Sequence, residues 1–138
     1  MSRMIRIVWL EDEAMRRLGP PSFHLKLRDA DPECDITWAE DGADLREKLS
    51  TARNAPFDAL ISDGLVNRAT RGAMFGHEVI KKLRDDGLLT EATPVLFFTG
   101  GRHLIPDGFI DGDLIIDRHA GARERLRDKL FEVIGINA

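Results

Sequence analysis

The stretch Phe57-Asp58-Ala59-Leu60-Ile61-Ser62-Asp63 decides the reading of this chain. Its interior is short, apolar on both sides and ends abruptly on an aspartate followed by Gly64, the pattern of a buried strand whose carboxyl end opens into a polar loop. Two further stretches repeat that design. Ile5-Arg6-Ile7-Val8-Trp9-Leu10 runs into Glu11-Asp12-Glu13, and Pro94-Val95-Leu96-Phe97-Phe98-Thr99 runs into Gly100. Cys34–Ala39 reads as a shorter strand followed by the loop Glu40-Asp41-Gly42, and Leu114-Ile115-Ile116 as a fifth strand leading to Asp117.

Helical segments lie between them. Gly19-Pro20-Pro21 interrupts the first, predicting a short turn over residues 13–18 and a helix from Pro21 to Asp29. Ala43 to Arg53 carries Leu45 and Leu49 at helical spacing. Gly76 to Asp86 sets Val79, Ile80 and Leu83 on one face, and residues 120–135 form an amphipathic helix through Leu126, Leu130, Val133 and Ile134. Residues 64–75 read as irregular. Glycines and a proline between Gly100 and Gly112 make a full helix there doubtful. Strands that are apolar on both faces and alternate with helices call for a parallel sheet covered on both sides. The expected fold is a single α/β domain over residues 1–138: a doubly wound, flavodoxin-like, five-stranded parallel sheet with a short or irregular fourth helix. Trp9 and Trp38 fall in strands and read as core residues.

Composition narrows the function. Over 138 residues, 43% hydrophobic residues supply a core and 32% charged residues a solvated surface, which excludes a disordered chain. A net charge of −4 with no basic face argues against nucleic acid as a partner. The arginines at Arg16-Arg17 and Arg123, Arg125 and Arg127 alternate with acidic or apolar residues and read as solvated helix faces. One cysteine, Cys34, excludes an internal disulfide. No apolar run approaches the roughly 18 residues of a membrane span, and the N-terminus lacks a signal-peptide core. The expectation is a cytoplasmic protein without a membrane partner.

In open parallel sheets, ligands sit outside the carboxyl ends of the strands. Those ends hold Glu11, Asp12, Asp63, Thr99 and Asp117. Carboxylates converging from neighbouring strands repel, and a hard cation relieves the repulsion. Magnesium takes oxygen ligands, commonly one or two carboxylates with waters and a phosphate. An aspartate beside it can attack a phosphoryl group and hold it as an acyl phosphate.

At this point the chain resembles a known family, the receiver domain of two-component response regulators. Leu10-Glu11-Asp12-Glu13 looks like its acidic pair, Phe57 to Asp63 like its phosphoacceptor strand, Gly76-His77-Glu78-Val79-Ile80-Lys81-Lys82-Leu83-Arg84 like its third helix, and Pro94 to Gly100 like its fourth strand. The similarity covers nearly the whole chain in the right order. It implies that Asp63 accepts phosphate, that Mg2+ is held by Asp12, by Glu11 through water, by Asp63 and by the backbone carbonyl of Leu65, and that Thr99 supplies the switch hydroxyl. It implies a histidine kinase or phosphotransfer protein as donor, a downstream protein as receiver of the signal, and no turnover beyond self-catalysed phosphorylation and dephosphorylation.

The departures are specific. The family's lysine after the fifth strand is replaced by Asp117, with Arg118 one residue out of register, and Leu114 stands near the family's aromatic switch position. The turn after Asp63 carries an apparent insertion up to Phe75. The reading is therefore an atypical, stand-alone receiver. A phosphate-independent pseudo-receiver acting as an interaction module is the alternative. A third reading, a magnesium-dependent phosphoesterase or toprim-like enzyme, would use Glu11, Asp12 and Asp63, with the Asp111/Asp113 pair as an optional addition. His24, His77, His103 and His119 show no metal spacing and read as surface or helix-end residues.

Overall fold

The computed structural model describes residues 5–10, 34–52, 56–63, 65–66, 74–100, 102–117 and 122–135. Strands β1 (Ile5–Leu10), β2 (Cys34–Ala39), β3 (Ala59–Ser62), β6 (Val95–Thr99) and β7 (Ile115–Asp117) form one sheet in the order β2-β1-β3-β6-β7. All four pairings within it are parallel. Taken in chain order, this is the doubly wound arrangement that reverses direction beside β1.

Side-chain alternation sorts the strand residues onto two faces. Ile5, Ile7 and Trp9 of β1 join Ile36, Trp38, Ala59, Ile61, Leu96 and Ile116 beneath helix α3 (Ala122–Ile134), which contributes Leu126, Leu130 and Phe131. On the opposite face, Val8, Leu10, Leu60, Val95, Phe97 and Ile115 pack against Leu45 of helix α1 (Gly42–Thr51) and Val79, Ile80 and Leu83 of helix α2 (Gly76–Asp85). Helices on both faces explain why the strands carry almost no polar alternation. Stacked rings of Trp9 and Trp38, with centroids 4.8 Å apart, link β1 to β2 within the first face.

Each helix begins where its local chemistry allows. Asp41 caps α1, its Oδ1 accepting from the Asp44 amide at 2.8 Å. Asp44 in turn accepts from the Glu40 amide at 2.9 Å and from Lys48 Nζ at 2.8 Å. Burial pushes the Asp44 carboxyl up, yet these hydrogen bonds outweigh burial and hold it below the ordinary carboxylate range. Gly76, the first residue of α2, sits against the end of β3. A Cβ there would fall 2.1 Å from the Asp63 carbonyl oxygen and 2.6 Å from Ser62 Oγ, so only glycine fits.

Several expectations are corrected. Residues 64–75 were expected to be irregular, but Leu65–Val66 (β4) and Met74–Phe75 (β5) pair as a short antiparallel ribbon, with Leu65 opposite Phe75. The fifth strand was expected over Leu114–Ile116. Leu114 instead closes a 3₁₀ turn, Gly112–Leu114, whose start is capped by Asp111 accepting from the Asp113 amide, and the strand includes Asp117. Arg127 is not part of a solvated face: it is 7% exposed and pairs with Asp128 at 3.0 Å. The expected irregularity of the fourth helix holds, since among the described residues only the 3₁₀ turn Arg102–Leu104 lies between β6 and the 3₁₀ turn before β7. Ile105, Phe97 and the partly buried Phe109 and Ile110 fill the space beside α2. The expected segments at 13–18 and 21–29, together with Arg16 and Arg17, lie outside the described residues.

Candidate phosphoacceptor site

Asp63 follows β3 directly, at the carboxyl edge of the sheet and beside the reversal in strand order. Its amide donates to the Leu10 carbonyl at 3.0 Å, fixing the Asp63 backbone to the end of β1. Ser62, fully buried, donates its hydroxyl to the Asp63 carbonyl at 2.7 Å. The same carbonyl faces Gly76, so the aspartate's backbone is held from β1, from β3 and by the start of α2. Its side chain is half-buried, reachable from solvent.

Thr99 ends β6 and is buried, 1% exposed. Ser62 registers with Phe97 across β3 and β6, which sets Thr99 beyond the level of Ser62 along the neighbouring strand. Asp117 is the register partner of Thr99 on β7. The structure thus brings Asp63, Thr99 and Asp117 to the same edge of three consecutive strands. Glu11, Asp12 and Arg118 lie outside the described residues. Leu65, whose carbonyl was expected to face a metal, is in the ribbon strand β4, two positions after Asp63.

At the end of β7, Asp117 does not stand alone. Arg102 Nε pairs with its Oδ1 at 3.3 Å, while Arg102 Nη2 donates to the Ile115 carbonyl at 2.7 Å. Arg125 Nη2 approaches the Asp117 carbonyl at 3.5 Å. Arg102 had no signal in the sequence beyond lying in the glycine-containing segment after β6, because the contact spans 15 positions. Ser62 and Gly76 were visible only as parts of their strand and helix motifs.

Asp111 and Asp113 are exposed in the turn at the amino end of β7, away from the edge that carries Asp63. They do not join it, so this pair adds nothing to the carboxylates at that edge. His77, second residue of α2, is half-buried, its ring stacked on Phe75 and edge-on to Phe109, each with centroids 5.6 Å apart. Among the described residues, no three His, Cys, Asp or Glu side chains gather to hold a metal. Asp63 and the Leu65 carbonyl offer the oxygen donors that magnesium prefers.

No protein-family model matches the chain. No curated protein matches it in sequence. Its structure, however, is similar to that of the phosphorylated cyanobacterial phytochrome response regulator RcpA, with a TM-score of 0.59 and 17% identity, covering 95% of this chain and 91% of that one. The five-stranded parallel sheet agrees with that likeness, and the fold of this chain is that of a response-regulator receiver.

Proposed function

We propose that this chain is an atypical receiver domain, cytoplasmic and spanning residues 1–138, that accepts a phosphoryl group on Asp63. The observation that carries this reading is the position of Asp63: half-buried after β3, backbone-locked on three sides, with Thr99 at the end of the adjacent strand. A histidine kinase or phosphotransfer protein is the donor. An Asp63 carboxylate oxygen attacks phosphorus, the P–N bond to the donor histidine breaks, and the acyl phosphate forms as the imidazole regains a proton. Thr99 would donate its hydroxyl to a phosphoryl oxygen, and movement of this side chain would begin the signal to a downstream protein.

Asp63, the Leu65 carbonyl, Asp12 and, through water, Glu11 would hold Mg2+. The ion supplies charge neutralisation on the transferring oxygens. The chain's own contribution is orientation: the Asp63 main chain cannot slide, because its amide is bonded to Leu10 and its carbonyl abuts Gly76. The likeness to a response regulator whose structure is of its phosphorylated form supports the assignment.

The test is intact mass after incubation with acetyl phosphate and Mg2+. A single phosphoryl adduct in wild type, absent in Asp63→Asn, is expected. A folded wild-type protein that stays unlabelled by both acetyl phosphate and phosphorylated histidine kinases would refute the proposal. One observation favours a second reading, a phosphate-independent interaction module: an acidic residue, already paired, stands where the family has its lysine. Under that reading, partner affinity is equal for wild type and Asp63→Asn.

A further inference from the structure

Asp117 places a negative charge beside a site meant to gain more. The register puts it opposite Thr99, and β7 lies two strands from β3. Two inter-strand spacings separate backbones by about 10 Å. A lysine is long enough to cross most of that gap, and an aspartate is not. Asp117 therefore acts on Asp63 through its charge rather than by contact.

That charge is matched from an unexpected direction. Arg102 comes from the 3₁₀ turn after β6 and bridges two points on β7, the Asp117 carboxylate and the Ile115 carbonyl. An exposed ion pair alone orders little. Here the second, 2.7 Å bond to the main chain anchors the guanidinium to the strand itself, so the pair does not depend on two free side chains finding each other. Arg125, Lys129, Asp113, Asp128 and Glu132 line the same groove, and their opposite signs leave Arg102 as the group bonded directly to the carboxylate.

We propose that Arg102 is a positioning residue for the phosphoacceptor site: it neutralises Asp117 and keeps that carboxylate bound to the outer strand, so that the edge bearing Asp63 can accept a dianionic group without the family's lysine. The inference rests on the phosphoacceptor reading above and gives it a residue of this chain's own. It predicts an order set by local charge. The intact pair is neutral, Arg102→Gln leaves a net negative charge, Asp117→Asn a net positive one, and the double variant is neutral again.

One unit charge at about 10 Å near a screened surface changes a rate or lifetime by roughly two- to fivefold. Labelling of Asp63 by acetyl phosphate with Mg2+, followed by intact mass, should thus be fastest for Asp117→Asn, similar for wild type and the Arg102→Gln/Asp117→Asn double variant, and two- to fivefold slower for Arg102→Gln. Arg102→Lys should recover most of the rate. Calorimetry on each variant reports whether the fold is intact. A merely structural arginine would leave the double variant as slow as Arg102→Gln, and that result overturns the proposal. So does an Arg102→Gln variant that labels like wild type. An unlabelled wild type defeats the phosphoacceptor reading itself, and this inference with it.

Discussion

Substituting Gly76 by alanine should destabilise the protein, although alanine is the better helix former. In an unconstrained helix the exchange stabilises by about 0.5–1 kcal/mol. At Gly76 the new methyl would lie 2.1 Å from the Asp63 carbonyl oxygen and 2.6 Å from Ser62 Oγ, where ordinary contact begins at 3.4 Å. The nearer obstacle is main chain, bonded on its other side through the Asp63 amide to Leu10, and it cannot rotate away. Relief requires α2 to move off β3 by about an ångström, which disturbs the contacts of Val79, Ile80 and Leu83 below it. Overpacking of this kind costs about 1–3 kcal/mol. After the helix gain is subtracted, the mid-values leave a net loss of about 1 kcal/mol, or roughly 3–4 °C in Tm for a domain of this size. Calorimetry on Gly76→Ala reads it directly. Gly100→Ala is the control, because nothing lies within 4 Å of its added Cβ. A Gly76→Ala protein as stable as wild type, or more so, would refute the claim that this close approach fixes Asp63. The same variant should also label more slowly at Asp63, since its carbonyl and carboxylate share one residue's geometry.

Other substitutions probe the remaining supports. Asp41→Ala removes the cap of α1 and should cost about 1 kcal/mol in urea unfolding, with an unchanged m-value. Asp44 has a lowered folded pKa, so its stabilisation is full above the usual value of 3.8 and disappears as pH falls through the folded pKa. The Tm difference between wild type and Asp44→Asn should therefore be constant near neutrality and shrink below about pH 4; a difference that persists undiminished at pH 2 would show that the pairing with Lys48 is not its source. Asp117→Lys restores the family's charge and should lengthen the life of the Asp63 adduct, measured by the decay of the added mass after the donor is removed. An unchanged lifetime would refute the idea that charge at this position reaches Asp63.

Much of the sheet was legible because its strands are buried on both faces. Uninterrupted runs such as Ile5–Leu10 and Cys34–Ala39 have no competing helical period, and their observed bounds coincide with the expected ones. Asp63 and Thr99 were legible as polar residues ending apolar runs. What escaped was set by contacts between distant positions. The ribbon joins Leu65–Val66 to Met74–Phe75, strands too short to show any period. Leu114 left the fifth strand because the Asp111 side chain bonds the Asp113 amide and starts a turn, a local competition that apolar patterning does not register. Arg127 sits on a helix turn between Leu126 and Asp128, where charge alternation suggested solvent but the helix's inward face extends one residue further. The Arg102–Asp117 pair depends on how the loop after β6 crosses β7, which no spacing announces.

The stacked indoles of Trp9 and Trp38 have an optical consequence. The chain contains 2 tryptophans and no tyrosine. Both rings belong to the pair bridging β1 and β2, 4.8 Å between centroids with 30° between planes, and Phe98 of β6 meets Trp9 edge-on. Strong transition dipoles that close couple, so the short-wavelength indole band of the circular dichroism should carry an exciton couplet from this one place. Trp9 directly precedes Leu10, whose carbonyl holds the Asp63 amide. The protein therefore carries its own spectroscopic probe, free of indole or phenol signal from elsewhere, two strands' width from Thr99 and one hydrogen bond removed from the Asp63 main chain.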